Sequence, residues 1–466
     1  MFKQQRHKII QHFSRLLVMW ILLALANFIG AGDIQLPSRI HSDATMLQAV
    51  NQRHSVRSYQ TTSVEFSLLS WILQAADQVT FSDRKWGNLL AEIDQSVYQY
   101  DSKSNMLKTA AQPVPELRMY SAPVSLYLVS SSGEEKDEVW IWRGMAGQAI
   151  YLGASALNLG TVTVRGIGFP VGYAGKPATY EPRDAKNGVI PSLDSMKNVT
   201  LESLIFNQKP AGNDRLSEAD LLQLFWSVYG YATLQESTGR VHRTVPSAHG
   251  RYPMQVFSVQ ERGLYRYIPD NHTVQKKQEI DVRNRIIPAV NIADVDQIEV
   301  MLIFFWDRNQ MQSRQMALYE AGAMLYNLEL AGEALGFPVQ AGLITNSAQI
   351  KQALGIEDKA QLEPLLCCAV AGPLSEKTGS YRDGAYYGEA KDWPAIKVKV
   401  TIKNGRLSAI DILEDLGTPE FSEKVMGELP GLMIKANGTN VDGISGATLS
   451  SEHLKKAVSE ALAQAR

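Results

Sequence analysis

Apolar residues recur at helical spacing in LSWILQAADQVT (Leu69 to Thr80) and again in LQLFWSVYGYAT (Leu222 to Thr233), the stripe expected of an amphipathic helix with one buried face. The two stretches are 153 residues apart (222 − 69). Alternating apolar and polar positions in SVYQYDSKSNML (Ser96 to Leu107) and GLYRYIPDNHTV (Gly263 to Val274) each predict short strands running into a turn. Their separation is 167 residues (263 − 96). A third pair, GMAGQAIYLGASALNLG (Gly144 to Gly160) and GAMLYNLELAGEALGF (Gly322 to Phe337), predicts helices rich in small residues that permit close packing. Three pairs in one order argue for a duplication, with a first module over 45–195 and a second over 199–375.

The offsets differ by 14 residues (167 − 153), so the second copy carries an additional segment between its helix and its Tyr-x-Tyr strand. That segment contains RTVPSAHGRYP (Arg243 to Pro253). The first copy instead opens on RHSVRSY (Arg53 to Tyr59), whereas the same 153-residue offset places FNQKPAG (Phe206 to Gly212) at the opening of the second. Each copy keeps one polar cluster and lacks the other.

The chain closes on a further domain over 378–466. After YRDGAYYGEA, the stretch IKVKVTIKNGRLSAIDIL alternates around Asn404-Gly405, a strong hairpin signal. VDGISGATLSS (Val441 to Ser451) then leads into a helix with apolar residues at Leu454, Val458, Ala461 and Leu462, for which Ser450 or Ser451 is the expected cap. Cys367 and Cys368 sit side by side in the strand-like EPLLCCAVAG. Neighbouring strand residues face opposite ways, so they are read as two core thiols and not as a disulfide.

Composition adds limits. The chain has 466 residues, 45% of them hydrophobic, and a formal charge of −2, which suits about three packed domains and gives no basic stripe for nucleic acid. Lys3, Arg6, Lys8 and Arg15 precede the uncharged run LLVMWILLALANFIGA (Leu16 to Ala31). This is the layout of a secretory signal or an N-terminal anchor over 1–32, with the body of the protein outside the cytoplasm.

RHSVRSY resembles the Arg-x-Ser-x-Arg opening of flavin-dependent nitroreductases, and RTVPSAHGRYP followed by GLYRYIP resembles the branch that includes thiazole-forming dehydrogenases. The resemblance covers roughly residues 45–375. It implies an α+β fold, and FMN held between two subunits, with the arginine-serine loop from one and the Pro-Ser segment from the other. Here the two copies would form an internal pseudo-dimer in a monomer, with one complete site made of Arg53, His54, Ser55, Arg57, Pro246, Ser247 and Ala248. Arg53 and Ser55, two apart in an extended loop, can share a phosphate. Arg57 continues that face toward the flavin pyrimidine, and Pro246 to Ala248 supply a small surface for a flat ring. The departure at Asn207 to Lys209 removes the second site. No catalytic acid is assigned; His249, Tyr252 and His272 lie near the site in sequence.

Residues 378–466 resemble the FMN-binding domain of the covalent-flavin subunits of Rnf-type and sodium-pumping quinone reductase complexes. DGISGAT matches the Asp-x-x-Ser-Gly-Ala-Thr pattern in which a flavin transferase joins FMN through its phosphate to the threonine, here Thr448. Asp442, Ser445, Gly446 and Ala447 complete the motif, Asp442 beside a metal or the incoming flavin during transfer. Together these features predict an exported oxidoreductase with two FMN groups. Electrons would come from a membrane quinol- or flavin-linked donor and reach a small organic acceptor. Two alternatives stand beside it: an NAD(P)H-dependent nitro or quinone reductase, and a non-enzymatic flavin electron carrier.

Overall fold

The structure is a computed structural model describing residues 32–110, 113–117, 120–175, 180–181, 199–206, 216–235, 240–292, 298–371, 381–391, 395–403, 406–436, 438–439, 441, 443–444 and 447–465. The apolar N-terminal run lies outside the described residues, and among those described no helix is long and apolar enough to cross a membrane. The fold mixes helix and sheet, and the chain divides into two compact units at Pro373 and Leu374.

The first unit opens with β1 (Ile34–Gln35), α1 (Met46–Gln52) and α2 (Phe66–Asp77). There follow β2 (Gly87–Ile93), β3 (Ser96–Asp101), β4 (Met106–Thr109), β5 (Val124–Ser130), the helix α3 (Asp137–Ala156), β6 (Gly160–Thr161) and β7 (Gly168–Gly172). These strands form an antiparallel sheet in the order β1-β4-β3-β2-β5-β7-β6. Past β8 (Tyr180–Glu181), α4 (Leu201–Phe206) and α5 (Glu218–Tyr229) come β9 (Tyr231–Gln235) and β10 (Arg240–Arg243), which join β8 in a small sheet. The chain then runs through β11 (Met254–Gln260), β12 (Gly263–Ile268), β13 (Thr273–Gln278), α6 (Arg283–Ile286) and β14 (Ile298–Asp307). It finishes with α7 (Arg314–Leu335), β15 (Val339–Leu343), α8 (Ser347–Leu354) and β16 (Leu362–Ala371). This second large sheet has the order β13-β12-β11-β14-β16-β15. Without β1, the first sheet has the same order, each strand in the same place relative to its long helix.

The helical stretch at Leu222 ends earlier than its apolar pattern suggests. Gly230 stops α5, Trp226 Nε1 donates to Tyr231 O at 2.9 Å, and Tyr231 begins a strand. Cys367 and Cys368 sit in β16 with side chains in different apolar clusters, as opposite faces require.

Helices α3 and α7 are buried on nearly all sides and are joined by close packing, by Gln148 Nε2 donating to Asn327 Oδ1 at 2.9 Å, and by the ion pair of Arg314 with Asp137 at 2.7 Å. They cross where both carry glycine. A Cβ on Gly144 would lie 1.9 Å from Tyr319 O, and one on Gly322 would lie 2.0 Å from Ile141 O. The contact is reciprocal: Gly144 pairs with Gly322 and Ile141 with Tyr319 at one offset of 178 (322 − 144, 319 − 141), as at a two-fold interface. A second reciprocal contact joins the starts of α1 and α4. Thr45 and Thr200 form an antiparallel bridge, Met46 N donates to Val199 O at 3.2 Å, and Leu201 N donates to Ala44 O at 2.9 Å. Here the offset is 155 (200 − 45), two more than the helices α2 and α5 suggest. Residues 207–215, including Asn207 to Lys209, lie outside the described residues.

The second unit is an antiparallel sheet of β17 (Gly384–Ala390), β18 (Ile396–Lys403) and β19 (Arg406–Asp415) with helices α9 (Pro419–Ala436) and α10 (Thr448–Gln464). Asn404-Gly405 is outside the described residues, but Lys403 pairs with Arg406 on either side of it. Ile396, Val398, Val400 and Ile402 are buried, and Leu454, Val458, Ala461 and Leu462 meet them from α10. A Cβ on Gly388 would lie 2.0 Å from Ala457 O, so that glycine sets how close the helix lies to β17.

The helix crossing is the part of this fold least tolerant of added volume. Gly144→Ala and Gly322→Ala are each expected to cost about 1–3 kcal/mol in urea unfolding of the first unit. The double variant should cost less than the sum, because both methyl groups push on one contact.

Candidate functional site

Arg53 follows α1 and is 2% exposed. Its Nη2 donates to Arg243 O at 2.9 Å, and its guanidinium lies 5.2 Å from the centre of the Tyr151 ring on α3. Nε and Nη1 are buried without a hydrogen-bond partner. The hydroxyls of Thr161 and Thr244 and Oε1 of Gln148 are in the same condition. Burying an unsatisfied guanidinium is costly, and the group that would satisfy it is an anion rich in acceptor oxygens, as a phosphate is. The residues therefore fit the phosphate of FMN.

Ser55 is half-buried, with Oγ 3.3 Å from Tyr151 Oη, which also accepts from Thr163 N at 2.8 Å. Val56 N donates to Thr161 O at 2.9 Å and ties the loop to β6. Arg53 and Ser55 thus meet around Tyr151. Arg57 is exposed, and its Nη1 donates to Ser55 O at 3.4 Å. His54 Nδ1 lies 2.9 Å from Gln52 O, and burial lowers its pKa.

The second cluster arrives on the loop after β10. Arg243 lies among the rings of Tyr229, Tyr231 and Tyr252, at 4.5, 4.5 and 5.1 Å from their centres, and donates to Tyr229 O at 2.9 Å. Thr244 O accepts from Gln148 of α3 at 3.1 Å and Asn327 of α7 at 3.2 Å, so both central helices hold this loop. Pro246 is buried, Ser247 and Ala248 are half-buried, and His249 is exposed. His249, Gly250 and Tyr252 have φ of 56°, 66° and 48°. Two of these are not glycine, a strained conformation that the surroundings must enforce.

Ser247 accomplishes much of that. Its Oγ accepts from Tyr252 N at 2.9 Å and donates to Glu320 Oε2 at 2.6 Å. Glu320, on α7 and 1% exposed, also accepts from Tyr229 Oη at 2.6 Å. Burial pushes its carboxyl up to about 7, against the hydrogen bonds of Ser247 and Tyr229 and the charge of Arg243, which favour the ionised form. His272, in the β12–β13 turn, is tied to Tyr267 Oη at 2.8 Å and lowered by burial to about 4.

Sequence reasoning missed Tyr151, Gln148, Thr161, Thr163, Thr244 and Glu320. A signal existed for two of them: Gln148 and Glu320 are polar residues inside otherwise apolar, small-residue helices, and such residues are buried only with partners.

The 178-residue relation of α3 and α7 pairs Glu320 with Trp142 (320 − 178). Trp142 is fully buried, donates to Val79 O at 3.1 Å, and lies so close to Gly87 that a Cβ there would be 2.5 Å from the indole. No loop like 243–253 faces it, because only residues 78–86 join α2 to β2, while 230–253 join α5 to β11. The two-fold relation holds for the scaffold and fails at the polar site.

In the second unit, α10 starts at Thr448, after Ala447, which makes no side-chain cap. Ser450 and Ser451 therefore do not cap the helix. The chain turns helical before reaching them, and both are buried in its first turn. Ser451 Oγ accepts from Ile444 N at 3.0 Å and donates to Ala447 O at 2.9 Å, while Lys455 Nζ donates to Val441 O, fastening the loop to the helix. Thr448 is exposed at the helix start, where backbone N–H groups favour a negative phosphate. Asp442, Ser445 and Gly446 lie outside the described residues.

Two family models match the chain: the nitroreductase family over residues 210–372 and the FMN-binding domain over 393–463. Among solved structures, a protein of Anabaena variabilis assigned as a nitroreductase has 10% identity and a TM-score of 0.45, with 73% of this chain and 94% of that one covered. A Desulfovibrio desulfuricans protein likewise assigned and solved with FMN has 15% identity, a TM-score of 0.25, and coverage of 39% and 90%. The Escherichia coli microcin synthetase McbBCD complex has 17% identity, a TM-score of 0.30, and coverage of 42% and 78%. No curated protein matches the chain.

The geometry of Glu320 makes a prediction of its own. Its folded pKa is raised from 4.5 to about 7, so the folded chain keeps a proton that the unfolded chain has lost. The stability this gives is full below 4.5 and is lost as pH rises to 7. Relative to Glu320→Gln, the native chain should lose on the order of 3 kcal/mol across that window, measured by urea unfolding at pH 4.5 and 8. By its family models, the chain is an FMN-dependent oxidoreductase that carries a nitroreductase-family domain and an FMN-binding domain.

Proposed function

We propose that the protein is an exported oxidoreductase with two FMN groups, one joined to Thr448 and one held without a covalent bond between the two copies of the first unit. The observation that carries this reading is the convergence of Arg53 and Arg243, 190 residues apart, with Arg53 buried and two of its N–H donors unclaimed. Bound there, FMN supplies a centre that takes up electrons and delivers them to a small organic acceptor: a nitroaromatic, a quinone, an activated alkene or a halogenated aromatic.

The chain's own groups have distinct parts. Arg53 and Ser55 hold the phosphate, with Tyr151 beneath the guanidinium. Pro246, Ser247 and Ala248 form the wall against which the flat ring lies, and the 243–252 loop excludes water from it. Arg57, exposed on the same loop, reaches the pyrimidine edge only by turning inward. One such site is proposed, because FNQKPAG (Phe206 to Gly212) lacks the arginine-serine pattern of RHSVRSY, and the 178-residue relation of α3 and α7 puts Trp142 where Glu320 stands. The tandem reading of 45–195 and 199–375 as nitroreductase-like modules rests on the shared strand order and the reciprocal contacts.

Thr448 is exposed at the start of a helix and open to a flavin transferase during maturation. With the body outside the cytoplasm, where NAD(P)H is scarce, the donor is a membrane quinol- or flavin-linked dehydrogenase and the protein acts as a monomer. Rapid oxidation of NADH by the purified, flavin-loaded protein without a membrane fraction would refute that assignment of the donor.

Flavin content separates the two sites. Co-expressed with a flavin transferase and then acid-denatured, the native chain should release about one FMN and retain about one. Arg53→Gln should lower affinity for the released flavin roughly 10–100-fold, the loss of charge-assisted bonds to a phosphate, and leave the retained flavin alone. Thr448→Ala should abolish only the retained flavin. Release of no flavin from the native chain would make the first unit an empty scaffold and the protein a carrier.

A further inference from the structure

We propose that Glu320 is a positioning residue that sets the flavin wall: its ionised form holds Ser247 and, through it, the strained 247–252 loop, so that binding of the non-covalent flavin releases a proton. This rests on the flavin site proposed between Arg53 and the 243–252 loop. Glu320 itself touches neither ring nor phosphate in that reading.

Three observations carry it. The carboxylate is fully buried, and each oxygen accepts from one hydroxyl at 2.6 Å: Ser247 of the loop and Tyr229 of α5. Ser247 in turn accepts from Tyr252 N, so the chain Tyr252–Ser247–Glu320 closes a loop whose His249 and Tyr252 are in left-handed conformations. Finally, the two-fold relation of α3 and α7 puts a tryptophan where no such loop exists, so the carboxylate accompanies the loop and not the scaffold.

An ionised carboxylate accepts from both hydroxyls. A protonated one has one fewer full acceptor, and its own proton competes for Ser247 or Tyr229. Hydrogen bonds to the ionised form are roughly twice as strong as neutral ones. Ionisation therefore orders the loop in advance, and a ligand that lies on an ordered wall binds at lower entropic cost. The groups facing Glu320 are the hydroxyls of Ser247 and Tyr229 and the guanidinium of Arg243, and burial raises the carboxyl to about 7. Tyr229, raised by its own burial, stays protonated.

The test is the affinity of the full chain, stripped of releasable flavin, for FMN by fluorescence quenching from pH 5.5 to 8.5. Wild-type affinity should rise about tenfold through a midpoint near 7, beyond the part contributed by the FMN phosphate, which Glu320→Gln shares. Glu320→Gln should lose that rise. Tyr229→Phe removes a bond that favours the ionised carboxyl, so its midpoint should move to higher pH. A role in packing alone would change stability and leave the midpoint in place. Superimposable pH curves for wild type and Glu320→Gln overturn the proposal, as does an unmoved midpoint in Tyr229→Phe, which decides the matter by itself if Glu320→Gln does not fold. If Arg53→Gln loses flavin while Glu320→Gln matches wild type, only this inference fails. If wild type binds no releasable flavin, the site reading fails and this inference with it.

Discussion

The closeness of α3 and α7 governs the first unit. Backbone meets backbone at Gly144 and Gly322 because neither residue carries a Cβ, and this close approach brings Gln148 of one helix and Asn327 of the other onto the same carbonyl, Thr244 O. The loop that faces Arg53 is therefore anchored on the helix pair itself. A wider crossing would separate those two amides and release the loop, so the site depends on packing volume more than on any single polar contact.

Around that crossing, polar and apolar packing divide by side. On one side lie Tyr151, Arg53, Thr244 and Glu320, with several buried donors and acceptors unmatched within the protein. On the other, Trp142 fills the equivalent position and its N–H has a backbone partner. Unmatched buried polar groups lower stability, so Arg53 and Thr244 carry a cost that Trp142, with its backbone partner, does not.

Much of this was legible in the sequence because the signals were periodic or local. The three repeated segments fall on α2 and α5, on β3 and β12, and on α3 and α7; Asn404-Gly405 lies between paired strands; and Leu454, Val458, Ala461 and Leu462 are buried on one face of α10. Where a signal depended on tertiary contact it failed. Apolar spacing carried α5 into what is a strand, since Tyr231 and Ala232 suit either state until Gly230 breaks the helix. A serine before a helical pattern reads as a cap, yet Ser451 lies one turn inside and bonds back to Ala447. The pairing of Arg53 with a carbonyl 190 residues away, and the bond of Ser247 to Glu320, arise only when segments far apart in the chain meet. No local spacing encodes them.

That both halves of the first unit lie in one polypeptide has a consequence for persistence. A site built across two separate subunits disappears on dilution below their dissociation constant, and its ligand is lost with it. Here Arg53 and the 243–252 loop are held at an effective concentration fixed by the connecting chain and independent of how many molecules are present. A scaffold of this kind remains assembled at any abundance, and its halves cannot exchange with those of a neighbouring molecule without a domain swap.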